Sequence, residues 1–325
     1  MRRQLKDTVV VITGASSGIG RAAALRCARK GATVVVAARR ADVLEQLAAE
    51  CEEAGGRSLA VPTDVTDATA VDELADRAVA EFGRIDVWVN NAAVTLFSNF
   101  EEAPAEEYDC VIDTNLLGYV RGARAALPRF REQGRGVLIN NASVFGKVGA
   151  PYLSAYVTSK FGIVGLSECL RMELIDETDI HVCTLLPASI DTPIFQHAAN
   201  YTGRAIKPLD PVYDADVVAK AIVKLAQQPQ RERIVGGAGR LLRKQRLSTP
   251  GLTERANARL VHRDHFQNRP APPTSGNVNE PLPDWSSVSG GWEASPAPLR
   301  RALLASGALL AGGALAWRAW SAANR

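Results

Sequence analysis

The first 236 residues alternate between two patterns of apolar and polar positions. Short runs rich in β-branched residues predict strands buried on both faces, and longer stretches with apolar positions three or four residues apart predict helices. The predicted strands are 8–13, 32–38, 57–61, 85–89, 136–141, 180–186 and 233–235. The predicted helices are 21–30, 42–54, 67–82, 104–128, 153–175 and 214–227. This alternation predicts an α/β fold with a parallel sheet of about seven strands.

A glycine-rich turn, residues 14–20, follows the first predicted strand and leads into the first helix. Backbone N–H groups at a helix N-terminus attract anions, and glycines let a pyrophosphate approach the backbone. The spacing Gly-x-x-x-Gly-x-Gly differs from the standard Gly-x-Gly-x-x-Gly, and an ordinary flexible turn is the alternative interpretation. The flanking strand and helix favour a dinucleotide site on a doubly wound, Rossmann-type sheet.

Tyr156 and Lys160 are four residues apart in a predicted helix, so their side chains share one face. A phenol has a pKa near ~10, and a neighbouring ammonium lowers it enough for general acid/base work. Ser143 follows a predicted strand and would bring a hydroxyl to the same edge of the sheet. The Tyr-x-x-x-Lys pair is weak by itself, because such pairs also occur on surface helices.

Five motifs together resemble the short-chain dehydrogenase/reductase family over about residues 5–236. They are Thr13-Gly14-Ala15-Ser16-Ser17-Gly18-Ile19-Gly20, Asn90-Asn91-Ala92-Ala93, Asn115, Ser143 and Tyr156-x-x-x-Lys160. Two positions depart from the usual family pattern. Ala93 stands where Asn-Asn-Ala-Gly has its glycine, and Ala188 follows Pro187 where Pro-Gly is usual.

The resemblance implies a role for each catalytic residue. Ser143 would stabilise the substrate oxyanion, Tyr156 would donate the proton, and Lys160 would hold the nicotinamide ribose and lower the pKa of the phenol. Asn115 would seat a water in the proton relay, although a polar residue that relaxes a long helix is the alternative. Further implied cofactor-binding residues are Gly14, Ser16, Ser17, Gly18, Ile19, Asp64, Val65, Asn90, Ala92, Tyr156, Lys160 and Thr192.

Arg39 and Arg40 follow the second predicted strand, where NAD-selective sites usually carry a carboxylate for the ribose 2′-hydroxyl. Guanidinium groups suit a 2′-phosphate because they are permanently charged and bind bidentately. A solvated basic turn is the alternative. The sequence therefore favours NADP(H) over NAD(H), with Arg39 as the main contact and Arg40 in support.

The substrate side is predicted to be apolar. The family resemblance places a mobile substrate lid at 193–211, and this segment contains Phe195, His197 and Tyr201. A lone histidine in a lid is more often a packing or surface residue than a second acid. The residues that flank the predicted active site are Leu96, Phe97, Val144, Phe145 and Tyr152. They indicate a hydrophobic ketone, aldehyde or alcohol as the substrate.

Composition narrows the class of protein. The five cysteines, Cys27, Cys51, Cys110, Cys169 and Cys183, include no Cys-x-x-Cys pair. They predict reduced thiols of a cytoplasmic protein and no metal site.

Charge is distributed unevenly along the chain: residues 1–236 carry 26 Lys and Arg against 30 Asp and Glu, whereas 237–325 carry 12 against 5. The acidic part argues against nucleic acid, and the basic tail suits an anionic membrane surface.

The chain is predicted to have a catalytic part and a three-part tail. The parts are the catalytic domain 1–236, a basic amphipathic helical extension 237–267, a Pro/Ser/Gly-rich linker 268–299 and a hydrophobic segment 300–325. The uncharged run 302–317 is short for a bilayer, but snorkelling of Arg318 would extend it to Trp320. A membrane anchor, a helix packed on the domain and an oligomer contact all stay open.

The sequence predicts an NADP(H)-dependent oxidoreductase that interconverts a carbonyl and an alcohol. A non-catalytic NADP(H)-binding sensor and a membrane-tethered scaffold are the alternatives, since fold does not fix function. Retention of Ser143, Tyr156, Lys160 and Asn115 favours the enzyme. The family resemblance also implies a homodimer or homotetramer. The N-terminus has no apolar run before the first strand, so no signal peptide is expected.

Overall fold

The structure, a computed structural model, describes residues 4–292 of the chain. Its strands are β1 (Val9–Thr13), β2 (Thr33–Ala38), β3 (Arg57–Pro62), β4 (Val87–Asn90), β5 (Leu96–Phe97), β6 (Gly136–Asn141), β7 (Ile180–Pro187), β8 (Ile190–Asp191), β9 (Ala199–Asn200), β10 (Arg204–Ile206), β11 (Tyr213–Asp214), β12 (Glu232–Val235) and β13 (Phe266–Pro270). Its α-helices are α1 (Gly18–Ala28), α2 (Ala41–Glu53), α3 (Ala68–Phe82), α4 (Ala105–Ile112), α5 (Gly118–Gln133), α6 (Ser154–Glu173), α7 (Ala215–Gln227), α8 (Gly237–Ser248) and α9 (Pro250–Asp264).

Seven parallel strands form the central sheet in the order β12-β7-β6-β4-β1-β2-β3. Alternate residues of β1 serve opposite faces, because side chains along a strand point alternately up and down. Val10 and Ile12 belong to the core that includes residues of α1 and α7. Val9 and Val11 belong to the core that includes residues of α3 and α5. Both faces are covered, and the predicted doubly wound α/β fold is confirmed.

The helix predicted at 104–128 is wrong in two respects. Residues Asp113–Leu117 form a π-helical turn that separates α4 from α5. Helix α5 also continues past Pro128 to Gln133, although a proline usually ends a helix. Phe130 is fully buried, which anchors the last turn in the core. The helix ends only at Gly134, which adopts a left-handed φ of 68°.

The tail packs on the catalytic domain as far as residue 292. Helices α8 and α9 occupy most of the segment predicted as a basic amphipathic helical extension, residues 237–267. Strand β13 pairs antiparallel with β10, inside the predicted lid. Residues 271–292 contain no helix, as expected of extended chain, but they hydrogen-bond to the catalytic domain at several points.

Within residues 4–292, none of the helices is both long enough and apolar enough to cross a membrane. The predicted anchor, residues 302–320, lies outside the described part of the chain, as do 293–299 of the predicted linker. The five cysteines are free thiols, of which Cys27, Cys51 and Cys183 are buried. Burial raises the pKa of Cys27 to about 12, so this thiol stays protonated at neutral pH.

Candidate active site

A cavity of about 470 Å³ lies at the carboxyl edge of the central sheet. This is the edge where ligands of open parallel sheets bind, because the loops after neighbouring strands meet there. The loops after β1, β4, β6 and β7 all reach the cavity. Most of the predicted site residues line it: Gly14, Ser16, Ser17, Gly18, Ile19, Arg39, Arg40, Asp64, Val65, Ala92, Ser143, Tyr156, Lys160 and Thr192. Asn90 and Asn115 do not.

The glycine turn fits against the loop after β4 so closely that side chains are excluded. Gly14 has φ of +63°, and a Cβ there would lie 2.6 Å from the Ala92 Cα atom. A Cβ on Gly18 would lie 3.2 Å from the Thr192 side chain, also at positive φ. Gly14 therefore requires glycine on two grounds, backbone conformation and space, whereas Gly18 requires it mainly for its backbone conformation. The turn leaves room beside α1 for a ligand that approaches the backbone.

Asn90 is the last residue of β4, but its side chain turns beneath the cavity. Its Nδ2 donates to the Tyr119 carbonyl at 3.1 Å and to Asn140 Oδ1 at 2.9 Å. Its Oδ1 accepts from Trp88 Nε1 at 2.8 Å. Asn90 thus braces the sheet against α5, and the cavity wall at this strand end is formed by the residues after it, from Asn91 onward.

Asn115 lies in the π-helical turn and is fully buried. Its amide binds both backbone groups of Val94, with the Val94 N–H donating to Oδ1 at 2.8 Å and Nδ2 donating to the Val94 carbonyl at 2.9 Å. Nδ2 also lies 3.3 Å from Ser159 Oγ. Asn115 therefore ties the loop after β4 to the helix α6 that carries Tyr156. The break in the helix agrees with its alternative interpretation, a polar residue that relaxes a long helix.

Ser143 and Tyr156 both line the cavity, and their side chains are close enough to interact. Ser143 caps a short 3-10 turn, and its Oγ accepts from the Phe145 N–H at 3.1 Å. Burial raises the pKa of Tyr156 to about 12, and interaction with the Ser143 side chain opposes that rise. The phenol is therefore protonated at neutral pH.

Lys160 is buried one helical turn further along α6. Its Nζ donates to the Asn141 carbonyl at 3.2 Å and lies 5.3 Å from the centroid of the Tyr156 ring. Burial lowers the pKa of Lys160 to about 7, because the charged ammonium has lost its water. The shift of the Tyr156 pKa is set by burial and by Ser143, and the predicted effect of Lys160 on that pKa stays a prediction.

Comparison with known proteins identifies the family. The family model described as short chain dehydrogenase matches residues 8–201. The uncharacterized oxidoreductase YxnA of Bacillus subtilis is 37% identical over 274 residues, which cover 83% of this chain and 77% of that protein. The chain belongs to the short-chain dehydrogenase/reductase family. It is therefore an oxidoreductase with a site for a nicotinamide cofactor.

Two solved structures resemble this dehydrogenase, each at 30% identity. An alcohol dehydrogenase from Thermococcus sibiricus, complexed with 5-hydroxy-NADP, has a TM-score of 0.62 and covers 71% of this chain and 96% of its own. A short-chain type dehydrogenase/reductase from Mycobacterium marinum has a TM-score of 0.66, with 73% and 96% covered. The match to YxnA covers a larger share of this chain than residues 1–236 make up, so it extends beyond the catalytic domain.

Arg39 and Arg40 form one end of the dehydrogenase cavity, called here the arginine end. Both guanidinium groups are bound by backbone carbonyls of the tail, so neither is simply solvated. Arg39 donates to the Asn277 carbonyl at 2.7 Å and to the Asn279 carbonyl at 2.8 Å. Near them, Asp64 Oδ1 accepts from the Thr66 backbone and hydroxyl at 2.9 and 2.8 Å, which fixes the turn after β3.

The opposite end of the cavity is apolar and is closed by the tail helices. Its lining side chains include Phe97, Val144, Phe145, Leu153, Phe195, Leu241, Leu242 and Leu260, with Gln245, Asn257 and His265 among them. Leu96 and Tyr152, predicted as flanking residues, do not line it. The contribution of α8 and α9 to this lining was not predicted, although the amphipathic character predicted for residues 237–267 indicates that one face is covered.

Two histidines line the cavity, His265 at the apolar end and His197 near the arginine end, and burial keeps both uncharged at neutral pH. His265 lies between the rings of Phe97 and Phe195, and its Nδ1 is 2.6 Å from the Lys207 carbonyl. Burial lowers the pKa of His265 to about 4 and lowers the pKa of His197 as well. Tyr201 turns away from the cavity and donates to Glu107 at 2.7 Å. The packing interpretation of His197 is the one that its burial favours.

The residues present suit a dinucleotide. The glycine turn lines the cavity with its backbone, and the arginine end offers cationic donors. Among residues 4–292, no group of His, Cys, Asp and Glu has the geometry to hold a metal ion.

Proposed function

We propose that the protein is an NADP(H)-dependent oxidoreductase that interconverts a carbonyl and an alcohol on a hydrophobic substrate. The observation that carries this proposal is the placement of Ser143, Tyr156 and Lys160 in one cavity with the glycine turn. Hydride chemistry needs a proton donor or acceptor beside a bound nicotinamide, and this arrangement supplies one.

The nicotinamide, when bound, supplies or accepts the hydride. Tyr156 gives its proton to the carbonyl oxygen as the carbonyl carbon is reduced, so that the alcohol gains one hydride and one proton. The Ser143 hydroxyl donates a hydrogen bond to the same oxygen and stabilises its developing negative charge. With a pKa of about 12, Tyr156 holds its proton at neutral pH, which is the state that carbonyl reduction requires.

NADP(H) is favoured over NAD(H) because Arg39 and Arg40 line the cavity after β2 and no carboxylate takes their place. Each arginine still has guanidinium N–H groups beyond those bound by the tail. The Thermococcus sibiricus dehydrogenase was solved with an NADP derivative, which supports the same cofactor here. The glycine turn, Asp64, Val65, Ala92 and Thr192 would hold the remainder of the dinucleotide.

The substrate is expected to be apolar around its carbonyl, because the end of the cavity beyond Tyr156 is lined mainly by aromatic and aliphatic side chains. Gln245, Asn257 and neutral His265 offer a few hydrogen-bonding groups there. Such a lining favours ketones, aldehydes or secondary alcohols with hydrophobic substituents over small charged substrates.

The test is NADPH oxidation by the purified protein with a panel of apolar ketones and aldehydes, followed by near-ultraviolet absorbance. Tyr156→Phe serves as the control, because it keeps the ring and loses the proton. We expect turnover that the variant abolishes. Turnover that survives in Tyr156→Phe, or a reaction restricted to small charged substrates, would contradict the proposal.

The cofactor preference has its own test, a binding titration with NADPH and NADH. NADPH should bind more tightly by at least tenfold, since a 2′-phosphate gains charge-assisted hydrogen bonds from the arginine end. Equal affinities would contradict it. The homo-oligomer, the cytoplasmic location and the membrane anchor at 302–320 stay predictions.

A further inference from the structure

Residues 277–292, called here the strap, run from the arginine end of the cavity past the glycine turn to Asp191. The strap begins beside the lid, where the Asn277 N–H donates to the His197 carbonyl at 2.8 Å. Just before it, Gly276 fits so closely that a Cβ there would lie 2.1 Å from the same carbonyl. The strap is therefore seated on the domain at its first residue.

The arginine end holds the first half of the strap. Arg39 binds the strap through the carbonyls of Asn277 and Asn279, and the neighbouring Arg40 binds it further along. Arg40 Nη1 lies 3.1 to 3.2 Å from three successive carbonyls, those of Leu282, Pro283 and Asp284. Two side chains expected to face a 2′-phosphate thus also fix the backbone of the tail.

The second half of the strap is held beside the glycine turn and the lid. The Gly18 N–H at the start of α1 donates to the Ser287 carbonyl at 3.0 Å. The Asp191 carboxylate accepts from Ser289 Oγ at 2.6 Å and from the N–H groups of Gly290 and Trp292 at 2.9 and 3.0 Å. These contacts lie next to Thr192, so the strap follows the expected cofactor path from one end to the other.

The strap covers the cavity without filling it. Asn277, Pro281 and Leu282 line the same 470 Å³ space as Ser16, Ser17 and Ile19 of the glycine turn, so the space lies between them. Asn277 Oδ1 is buried and has no hydrogen-bond partner among the described residues. Strap residues that line the cavity are what a wall requires, and the space between them and the glycine turn is where a cofactor would lie.

We propose that the strap is the outer wall of the dinucleotide site, closing over the bound cofactor and slowing its release. The inference rests on the proposed function, because it needs a nicotinamide dinucleotide as the occupant. Arg39 and Arg40 serve two purposes in it, since they face the cofactor and hold the wall. The cofactor enters and leaves only when the strap opens.

The first test is hydrogen exchange of the full-length protein with and without saturating NADPH. The amides of Gly290 and Trp292, which donate to Asp191, report on the strap directly. A wall predicts that NADPH slows exchange across 277–292 at least fivefold. Faster exchange would mean that the strap competes with the cofactor, and unchanged exchange would mean that it is no wall; either result overturns the proposal.

The second test uses two glycines that share a left-handed φ but differ in their surroundings. Gly276 has φ of +54° and no room for a Cβ, whereas Gly291 has φ of +77° and nothing within 4 Å. Gly276→Ala should lift the start of the strap and accelerate NADPH release at least tenfold in stopped-flow measurements. Gly291→Ala is the control for backbone strain and should change the rate less than twofold. Equal effects of the two substitutions would contradict the proposal.

The outcomes separate this inference from the proposed function. NADPH that binds and protects the strap, with no Tyr156-dependent turnover of any carbonyl, refutes the enzyme proposal and supports the wall. Equal protection by NADH refutes the cofactor preference and also supports the wall. Failure of both nicotinamides to bind overturns the wall together with the function.

Discussion

The catalytic end of the cavity and the arginine end are held by different kinds of contact. Ser143, Tyr156 and Lys160 stand on the central sheet and on α6, and Lys160 is bonded to the backbone of β6. The arginine end is completed by the strap, whose backbone is bound by half-buried side chains. A buried framework keeps the reacting groups in place at all times, whereas contacts near the surface can open and close.

The largest effect should come from the catalytic end. Tyr156→Phe removes the proton donor without altering the ring, and general acid catalysis contributes about 10²- to 10⁴-fold. We expect kcat to fall about 10³-fold while NADPH affinity stays within threefold of wild type. Steady-state kinetics and a fluorescence titration check the two quantities. A parallel loss of affinity would show that the phenol acts mainly as a binding group.

Substitutions in the glycine turn test whether NADPH binding survives when the loop after β1 is pushed away from the loop after β4. Gly14→Ala forces a Cβ against Ala92, whereas Gly83→Ala at the end of α3 meets nothing within 4 Å, although both have positive φ. We expect Gly14→Ala to weaken NADPH binding about 100-fold and Gly83→Ala to have little effect on it. Gly83→Ala is a matched control, because both substitutions carry the same backbone cost of about 1–2 kcal/mol and only Gly14→Ala adds a clash at the site. Calorimetry measures both. Similar affinities for the two variants would contradict the steric argument.

Lys160 makes the catalytic framework sensitive to pH. Burial lowers its pKa in the folded state from 10.5 to about 7. The unfolded chain therefore binds more protons between these values, and the free energy of unfolding contributed by Lys160 rises with pH across that window. Below it, the buried lysine costs stability.

Lys160→Met removes this titration. The variant should be the more stable protein near neutral pH, and its advantage should shrink by about 3 kcal/mol as the pH rises from about 7 to about 10. Urea unfolding at several pH values measures the free energy of unfolding of both proteins. The cysteines are the same in both, so their titration cancels in the difference between the two. An advantage that does not change with pH would mean that Lys160 is not neutral in the folded protein.

The smallest effect is expected at the arginine end. Arg39→Gln keeps hydrogen-bonding capacity but loses charge, so NADPH affinity should fall about tenfold and NADH affinity less than threefold. Two titrations give the ratio. If both nicotinamides lose affinity equally, Arg39 acts on the cofactor only through the strap, which would sharpen the contrast between the two ends.

The residues that could be predicted from sequence are those whose chemistry or geometry no other residue supplies. Gly14 lies where a Cβ has no room, Gly18 has a positive φ, and Tyr156 and Lys160 share a helical face, so the motifs that carried the family resemblance located them. Asn90 was harder, because a motif gives a position along the strand and not the direction in which the side chain turns.

Other features leave no mark in the pattern of apolar residues. The π-helical turn around Asn115 adds one residue to a helical turn without changing the composition, and α5 continues through Pro128 because Phe130 is buried beyond it. The strap is bound mostly through its backbone carbonyls and N–H groups, which every sequence has. Its Pro-, Ser- and Gly-rich composition therefore resembled a linker.

The two bonds of Arg39 to the tail have a consequence for protein engineering. A carboxylate placed at the end of β2 to favour NAD(H) would bring a negative charge to the carbonyl oxygens of Asn277 and Asn279, which carry partial negative charge and can only accept hydrogen bonds. Such a substitution would repel the backbone that the arginine now holds. Redesign of cofactor preference in this dehydrogenase must therefore alter the tail and β2 together.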